Sequence, residues 1–588
     1  GAVPWMGSYR DLVFMGFNAV MLPAAEFHAL STSDAIPELA ARHDPGLLTR
    51  MREASQEAAR YGLKTYCWVS TRQKFPKDDP VLVKNPGIRG ALTWKEDGEY
   101  ILCTEHPLVR RYYTETMEGI FRSILGLCGL VIIIGGEGFY HCFMRPYGAP
   151  VGHTTCPRCE PLGADTVVAN LCNTIAKAAR KVNPDAQIIA WPYSAEHVWA
   201  AGDLLPRMIQ KLRTGTTILT EIEKEAIIEK ANGLRKLIWD YSIDAIGPCE
   251  RAKEQIAECR AVGIPVYMKS EPELAFEASR LADVPCLDRW LDRAEALASC
   301  GATGVFCMPA FRKCYGSVAA EIFQWMWWDP CRNKEWILEN VADRVAGHTS
   351  GPSLRNAWRL VSEAIAYSPQ IPGYYNGPHY MGPAHPMCAD PEADLPPVFY
   401  CQYLFRAEIT DDEGLKFRPM FWKNVQDGEV LLRFYRKMEG LLGRAVEEIR
   451  KTQSRVPERC RLPYAAEVSQ IRWFYHTART EANFYESCLL RDRLLALASQ
   501  RSKTRKEVDE ALKLHKRWHQ VLMGEQRNVI EAIPVAKADM RLDWYYGRDH
   551  TAPHAADMLH AKLKLLRKEI HDFLPSVRRR IRADNARD

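Results

Sequence analysis

The sequence lacks the features that would assign it to a membrane, secreted or nucleic-acid-binding class. It contains no apolar run long enough to cross a bilayer. Its formal net charge is only +5 over 588 residues, too small for a strong field towards nucleic acid or a membrane surface. Helix-turn-helix and zinc-finger spacings are missing, and the N-terminus shows no charged segment followed by an apolar one. We therefore expect no membrane partner, no nucleic-acid partner and no signal peptide.

The cysteines are scattered and do not form a dense disulfide framework. We interpret most of the 18 as buried free thiols, which indicates a reducing compartment, and we expect the bacterial cytoplasm. The chain begins almost directly in a folded pattern, so we expect residue 1 to follow a processing site or an upstream domain. The oligomeric state is left open.

Apolar runs alternate with amphipathic helical patterns through the first 330 residues. This alternation predicts a parallel α/β sheet, and eight units favour a closed (β/α)8 TIM barrel. An open doubly wound sheet would more often carry a glycine fingerprint after its first strand, and the sequence here continues as PAAEFHAL. The predicted strands are residues 18–23, 64–70, 100–105, 129–137, 187–194, 216–222, 265–271 and 304–309.

The character of the chain changes after the predicted barrel. We predict a catalytic barrel over residues 1–330 and a helical, loop-rich packing segment over 331–428, which includes IPGYYNGPHYMGPAHP. Residues 429–588 carry long helical patterns and predict a C-terminal helical bundle.

The fourth predicted strand ends in an unusual way, as GLVIIIGGEGFYHC over residues 129–142. Glu137 stands among glycines, which let the backbone bend and leave space beside the carboxylate. Function in barrels lies at the C-terminal ends of the strands, so we predict that Glu137 is a general acid. The alternative is that Glu137 caps a helix or pairs with an arginine.

Glycoside hydrolysis usually needs a second carboxylate, and other strand ends offer several. Glu271 ends the seventh predicted strand and is the preferred nucleophile. Asp240, in WDYS, and Glu221, at the end of the sixth strand, are the alternatives if a water is activated instead. Each of these residues taken alone is as readily explained by a salt bridge or a cap.

The strand-four and strand-seven pair, Glu137 and Glu271, resembles the large retaining clan of (β/α)8 glycoside hydrolases. That resemblance implies an acid/base role for the first carboxylate and a nucleophilic role for the second. The clan usually has Asn before its acid/base, whereas Gly136 stands here.

The motifs MGFNAVML, IIGGEG and AWPYS also resemble the hexosaminidase barrels of glycoside hydrolase family 20, over roughly residues 10–330. The trailing helical region is similar to that of α-glucuronidase and hexosaminidase-like families. Family 20 enzymes carry Asp-Glu at this point, where the Asp orients the substrate's acetamido group as an internal nucleophile. Glu137 matches the Glu, and Gly136 replaces the Asp. The departure favours an enzyme nucleophile or a base-activated water.

Further side chains near the predicted strand ends suit a sugar ligand. Aromatic faces stack on sugar rings, and Arg or Lys would bind an acidic sugar such as a uronate. The alternative for Trp68 and Trp191 is packing inside the barrel. The predicted substrate-binding residues are Trp68, Arg72, Tyr140, His141, Trp191, Tyr193 and Lys269.

A cluster of soft ligands follows the fourth strand. Cys142, His153 and the CPRC pair Cys156 and Cys159 offer the four ligands of a tetrahedral structural zinc site. Buried thiols or a disulfide are the alternatives. Four protein ligands would leave no open position, so we expect catalysis to need no cofactor.

These features favour a glycoside hydrolase that cleaves a terminal glycosidic bond of a carbohydrate substrate. The first competing reading is a carbohydrate-binding barrel that has lost catalysis, supported by Gly136. The second is a metal-dependent lyase or hydrolase of sugar acids, for which the strand ends show a poor ligand pattern. Fold alone does not choose among them.

Overall fold

The computed structural model describes most of the chain. The described residues are 9–70, 73–137, 141–230, 234–238, 240–270, 276–278, 281, 283–307, 317–328, 332–369, 381–387, 389–390, 395–399, 428–500, 503–543 and 554–583. The predicted site residues Arg72, Tyr140 and Glu271 lie outside them.

The chain separates into two compact units that interleave along the sequence. The first unit comprises Gly1–Ile222, Pro248–Ser270 and Leu297–Cys307. The second comprises Glu223–Gly247, Glu271–Ala296 and Met308–Asp588. Two stretches from within the predicted barrel segment, 223–247 and 271–296, therefore belong with the second unit, and the predicted domain boundaries stay a prediction.

The first unit contains a sheet of seven parallel strands whose spatial order follows the chain. Unbroken chain order is typical of a barrel, since a doubly wound sheet reverses its order at a switch point. The α/β, TIM-barrel-like fold class predicted from the sequence is therefore confirmed, as is the mainly helical region after it. The seven strands are β1 Ala19–Glu26, β2 Lys64–Ser70, β6 Leu127–Ile133, β7 Gln187–Trp191, β8 Thr216–Glu221, β11 Val266–Lys269 and β12 Gly304–Phe306.

The predicted third strand was wrong as a barrel strand. Tyr100–Leu102 (β5) pairs antiparallel with β3, Lys74–Phe75, and β4, Arg89–Leu92, in a separate three-stranded sheet. A short apolar segment has the same sequence pattern in a parallel barrel sheet and in a small antiparallel sheet. Only the strands that it pairs with distinguish the two. The remaining short pair, β9 Ile227–Glu229 and β10 Arg235–Leu237, is antiparallel and belongs to the second unit.

Helices follow most of the parallel strands, as the alternation predicts. Pro45–Arg60 begins at Asp44, whose side chain accepts a hydrogen bond from the Leu47 amide, an ordinary N-cap. The helices up to residue 365 are α1 Tyr9–Phe14, α2 Pro37–Ala40, α3 Pro45–Arg60, α4 Pro80–Lys84, α5 Pro107–Ser123, α6 Ala164–Val182, α7 Leu204–Gln210, α8 Glu250–Ala261, α9 Leu287–Ser299, α10 Val318–Trp327, α11 Lys334–Ala346 and α12 Gly351–Ile365.

Long helices make up most of the described second unit beyond residue 427. They are α13 Gly428–Thr452, α14 Arg461–Ala498, α15 Arg505–Ala538, α16 Ala555–Lys568 and α17 Leu574–Ala583. α13 packs along α14, and α14 along α15, through buried rings such as the stacked pair Tyr435 and Tyr485. Among the described helices, none combines the length and the apolar character that crossing a bilayer would need.

The parallel sheet brings its C-terminal strand ends to one edge, which positions the site. Every residue of β8 is buried, as expected for a parallel strand covered on both faces. Ile133 at the end of β6 pairs with Trp191. Lys269 at the end of β11 pairs with Glu221 on one side and Phe306 on the other. Several of the predicted site residues are therefore neighbours at this edge.

Candidate active site

A glycine turn carries Glu137 past the end of β6. The turn is pressed against the segment that follows β7: a Cβ on Gly135 would lie 2.2 Å from the Pro192 carbonyl oxygen, and one on Gly136 would lie 2.9 Å from Cδ1 of Tyr193. Gly136 also has a φ of +100°, which side-chain-bearing residues rarely adopt. Gly135 is thus required by close backbone approach and Gly136 by its positive φ and the nearby Tyr193 ring, and the residue that follows them, Glu137, is exposed.

Arg145 is a cationic group on which the charge of Glu137 acts. Its guanidinium lies 4.3 Å from the ring centroid of Trp94, within cation–π range. Burial lowers the pKa of Arg145, while the charges of Glu137 and Tyr193 act in the opposite direction. The alternative raised from sequence, that Glu137 interacts with an arginine, is therefore part of this site's electrostatics.

Arg145 and two aromatic residues that interact with it have strained backbone. Trp94, Arg145 and Tyr193 have positive φ values of 66°, 53° and 51°, although none of them is glycine. Each such conformation costs about 1–3 kcal/mol and persists only where surrounding structure holds it, commonly at active sites and ligand clamps. Arg145, on which Glu137 acts, and the two aromatic residues that interact with Arg145 are held at that cost.

An aromatic cluster centred on Trp191 lines the same edge. The Trp191 ring centroid lies 5.6 Å from that of Trp68 and 5.0 Å from that of Tyr193, both edge-on. Nζ of Lys269 is 5.8 Å from the Trp191 centroid. Trp191 is only 2% exposed and fills the interior, whereas Trp68 and Tyr193 are half-buried. The latter two keep surface that a ring-shaped ligand could contact.

Glu221 is buried beside this cluster, and both of its carboxylate oxygens are engaged. Trp191 Nε1 donates to Oε1 at 2.7 Å, and Arg251 Nη1 donates to Oε2 at 2.6 Å. Arg251 also donates from Nε to Glu196 at 2.7 Å and from Nη2 to the Tyr193 carbonyl at 2.9 Å. This network fixes Trp191 and the Tyr193 backbone from below the site.

The pKa of Arg251 reflects its place in that network. Burial would lower it, but the carboxylates of Glu221 and Glu196 outweigh burial and raise it above the ordinary value. The geometry assigns Glu221 a positioning role towards Trp191.

His141, predicted to bind substrate, is fully buried under the loop that follows β6. Its Nε2 lies 3.0 Å from the Ile134 carbonyl, and its Nδ1 accepts from the Phe143 amide at 3.3 Å. Burial lowers its pKa to about 4, so the ring is neutral at physiological pH. Trp199 Nε1 donates to the same Ile134 carbonyl at 2.6 Å. His141 therefore joins the loop to the end of β6.

Asp240 belongs to the second compact unit and is completely buried there. Its Oδ2 is 3.8 Å from Nζ of Lys224, and the neighbouring Glu223 accepts from the Tyr241 amide at 2.9 Å. Arg293 lies 3.4 Å from Glu223. Within the second unit, Asp240 is a member of a buried charged cluster.

The predicted zinc ligands divide in the structure. Cys142, Cys156 and Cys159 converge, and the fourth sulfur beside them is that of Cys103, which follows β5. His153 instead pairs with Glu160 at 2.7 Å and is largely exposed. Spacing along the chain pointed to His153, whereas Cys103 comes from the small antiparallel sheet that the sequence did not reveal.

Two residues of the site carried little sequence signal. Arg145 follows the glycine turn, but its stacking on Trp94 depends on the isolated bridge between Thr93 and Pro146. Arg251 opens α8 after the segment assigned to the second unit, far along the chain from Glu221. In the sequence, both arginines are recognisable only as basic residues that follow a predicted strand.

Comparison with known proteins gives structural similarity alone. No protein-family model matches the sequence, and no curated protein does either. A variant of the O-GlcNAc hydrolase of Thermobaculum terrenum is 11% identical, covers 97% of this chain and 92% of its own, and has a TM-score of 0.37. A family 89 glycoside hydrolase from Clostridium perfringens, in complex with PUGNAc, is 10% identical, covers 89% and 52%, and has a TM-score of 0.40.

A third similar structure is a family 31 α-xylosidase from a soil metagenome, 12% identical over 62% of this chain and 47% of its own, with a TM-score of 0.30. All three are glycoside hydrolases by name. At these scores the likeness carries no argument about the chemistry of this chain, which has to come from its own residues.

Proposed function

We propose that this chain is a glycoside hydrolase that cleaves a terminal glycosidic bond of a glycan, with Glu137 as the general acid. One observation carries the proposal: an exposed carboxylate stands at the C-terminal edge of a barrel-type sheet, on a tightly packed glycine turn, and its charge acts on Arg145, a residue with strained backbone. Function in this fold class lies at that edge.

The roles of the surrounding residues follow from their exposure. Tyr193 and Trp68 are the half-buried aromatic faces available to a sugar ring. Arg145 acts on Glu137 through its charge, and in the proposed reaction Glu137 donates its proton to the leaving-group oxygen. Arg145 also suits a substrate that carries a carboxylate or a sulfate.

A second carboxylate completes the proposed chemistry. Glu221 is a poor candidate, because both of its oxygens are engaged and its side chain is fully buried. We therefore propose Glu271 as nucleophile. Asp240, the other alternative, is fully buried beside Lys224 and is disfavoured on the same ground as Glu221. The reaction uses side-chain carboxylates and needs no cofactor.

The first test is hydrolysis of a panel of aryl glycosides, comprising α- and β-linked hexosaminides, hexosides and uronides. Wild type, Glu137→Gln and the control Glu53→Gln are compared; Glu53 is an exposed glutamate on α3. We expect the control to equal wild type and Glu137→Gln to lose at least about 100-fold in kcat, the usual contribution of proton transfer. Equal activity of all three proteins would refute the role of Glu137.

A second test separates a general acid from other roles. A 2,4-dinitrophenyl glycoside has a leaving group that departs without protonation, whereas a 4-methylumbelliferyl glycoside needs more help. Loss of the acid should therefore leave Glu137→Gln far more active on the first substrate than on the second. Equal losses on both would assign Glu137 another task.

The competing function is a carbohydrate-binding barrel without catalysis, and the engagement of Glu221 favours it by removing one candidate partner carboxylate. It predicts glycan binding with no turnover of any substrate in the panel by wild type. Measuring binding by calorimetry on the same glycans would then show an affinity that Tyr193→Ala weakens.

A further inference from the structure

Four buried cysteines converge in the first compact unit, on segments that are distant in sequence. Cys103 follows β5, Cys142 lies in the loop after β6, and Cys156 with Cys159 precedes α6. Their sulfur atoms all lie within 4.8 Å of one another, and each residue is at most 1% exposed.

The sulfur–sulfur distances fit one shared metal ion. Sγ of Cys103 is 3.5 Å from that of Cys159 and 3.7 Å from that of Cys156. Four thiolates at the Zn–S distance of about 2.3 Å in a tetrahedron would have their sulfurs about 3.8 Å apart. A disulfide would bring a pair to about 2.05 Å, which would not account for four sulfurs around one point.

The backbone around the cluster is arranged to hold these sulfurs. Cys159 and Glu160 both donate their amides to the Cys156 carbonyl, at 3.1 and 3.0 Å, which makes the tight turn of the CPRC motif. The Thr154 hydroxyl donates to the Cys142 carbonyl at 2.6 Å and accepts from the Cys156 amide at 3.3 Å. One threonine thus couples two of the ligand-bearing positions.

Two further residues accommodate the cluster itself. Gly90 on β4 has no side chain where the Cys142 sulfur lies; a Cβ there would be 2.6 Å from it. Arg158, between the two cysteines of the motif, interacts electrostatically with the sulfurs of Cys103, Cys156 and Cys159, which raise its pKa. Four thiolates around a divalent ion leave a net charge of −2, and a guanidinium in contact with the sulfurs offsets part of it.

We propose that Cys103, Cys142, Cys156 and Cys159 bind one structural zinc ion. An all-sulfur tetrahedral set selects zinc or iron over the hard cations, and with four protein ligands no position stays open for catalysis. The ion joins the small antiparallel sheet to residues 142–159, the segment that follows the Glu137 turn. This inference stands on the cysteine geometry and does not depend on the proposed glycosidase activity.

The test is the metal content of the full chain, purified under reducing conditions without chelator. We expect about one zinc per chain by mass spectrometry of the elements. Exchange with Co²⁺ should give the visible absorption of a tetrahedral tetrathiolate site. Wild type with no zinc and no Co²⁺ spectrum would overturn the proposal, and so would one iron per chain in place of zinc.

Two variants then identify the fourth ligand. The zinc content per chain should fall at least tenfold in Cys103→Ser. It should stay at the wild-type value in His153→Ala, because His153 pairs with Glu160 outside the cluster. Cys172→Ser, a buried thiol on α6, is the matched control and should also keep its zinc. Loss of zinc in His153→Ala, with retention in Cys103→Ser, would overturn the assigned set. If Cys103→Ser fails to fold, the wild-type content and His153→Ala still decide.

Discussion

Replacing Glu221 by Gln tests whether this carboxylate positions Trp191 or takes part in the reaction. The two oxygens of Glu221 accept from two groups that can only donate, the indole N–H of Trp191 and the guanidinium of Arg251. A glutamine has one acceptor and one donor at these places. Either orientation of the amide therefore sets its NH2 against a donor, and the negative charge facing Arg251 is lost.

The expected cost follows from burial. The side chains of Glu221 and Arg251 are 0% and 9% exposed, and breaking a buried pair usually costs about 3–5 kcal/mol. Arg251 keeps its second partner, Glu196, so we expect a value near the lower end, about 3 kcal/mol. Glu196→Gln is the matched control, since its side chain is 26% exposed and faces the same guanidinium; we expect about 1 kcal/mol or less.

The assay is urea unfolding of wild type and both variants, followed by circular dichroism at constant pH, with kcat measured on the best aryl glycoside. We expect Glu221→Gln to lower the free energy of unfolding about 2 kcal/mol more than Glu196→Gln does. If the two variants are equally stable while only Glu221→Gln loses its kcat, the positioning role is refuted. Glu221 would then be the reacting carboxylate.

Three further predictions concern packing and pH. Gly136→Ala should destabilise by about 1–3 kcal/mol more than Gly148→Ala, because both glycines have positive φ but only Gly136 would place its Cβ 2.9 Å from Tyr193; equal urea midpoints would contradict this. His141 has a pKa of about 4 in the folded chain against an ordinary 6.5, so stability present above pH 6.5 should be lost as the pH falls towards 4, by about 3 kcal/mol. Unfolding measured across that range should lose this dependence in His141→Gln. Glu569 shows the opposite sign: burial raises its pKa to about 8 from 4.5, so stability should decrease as pH rises between these values, by up to about 1.4 kcal/mol per pH unit. Glu569→Gln keeps an acceptor for the Ala389 amide and should flatten the profile, and an unchanged slope would show that Glu569 is ionised.

The strands could be predicted because burial on both faces requires a continuous apolar or β-branched run. Such a run is visible in the sequence without knowing which strand pairs with it. β6 is apolar through its length and β8 is apolar or β-branched as far as Thr220, and their runs end near the observed residues. The segment YILCTE begins with a similar short apolar run, but its strand pairs with the short β3 and β4. Local composition does not specify the partner of a three-residue strand, so the error there was one of pairing.

The site was predictable to the extent that strand ends share one edge. Trp191, Glu221 and Lys269 were named from that rule, and they are neighbours. Their roles were not predictable, because exposure decides them: Glu221 and Trp191 are buried in a shared hydrogen bond, and Glu137 is exposed. Cys103 was missed for a related reason, since its nearness to Cys156 comes from the antiparallel sheet and not from spacing.

Gly136 connects the sequence resemblance to the mechanism. In the family 20 pattern an Asp at this position orients the acetamido group of the substrate. Here the backbone has a φ of +100°, and the first side-chain atom would lie 2.9 Å from the Tyr193 ring, which is itself on a strained residue. Gly136→Asp therefore cannot restore that pattern unless Tyr193 also moves. Because the glycine and the tyrosine are coupled in this way, the chain has no group at this position to direct a substrate-derived nucleophile. In the proposed mechanism a second carboxylate of the enzyme acts either as the nucleophile or as the base that activates a water, and product stereochemistry, retained in the first case and inverted in the second, separates these two.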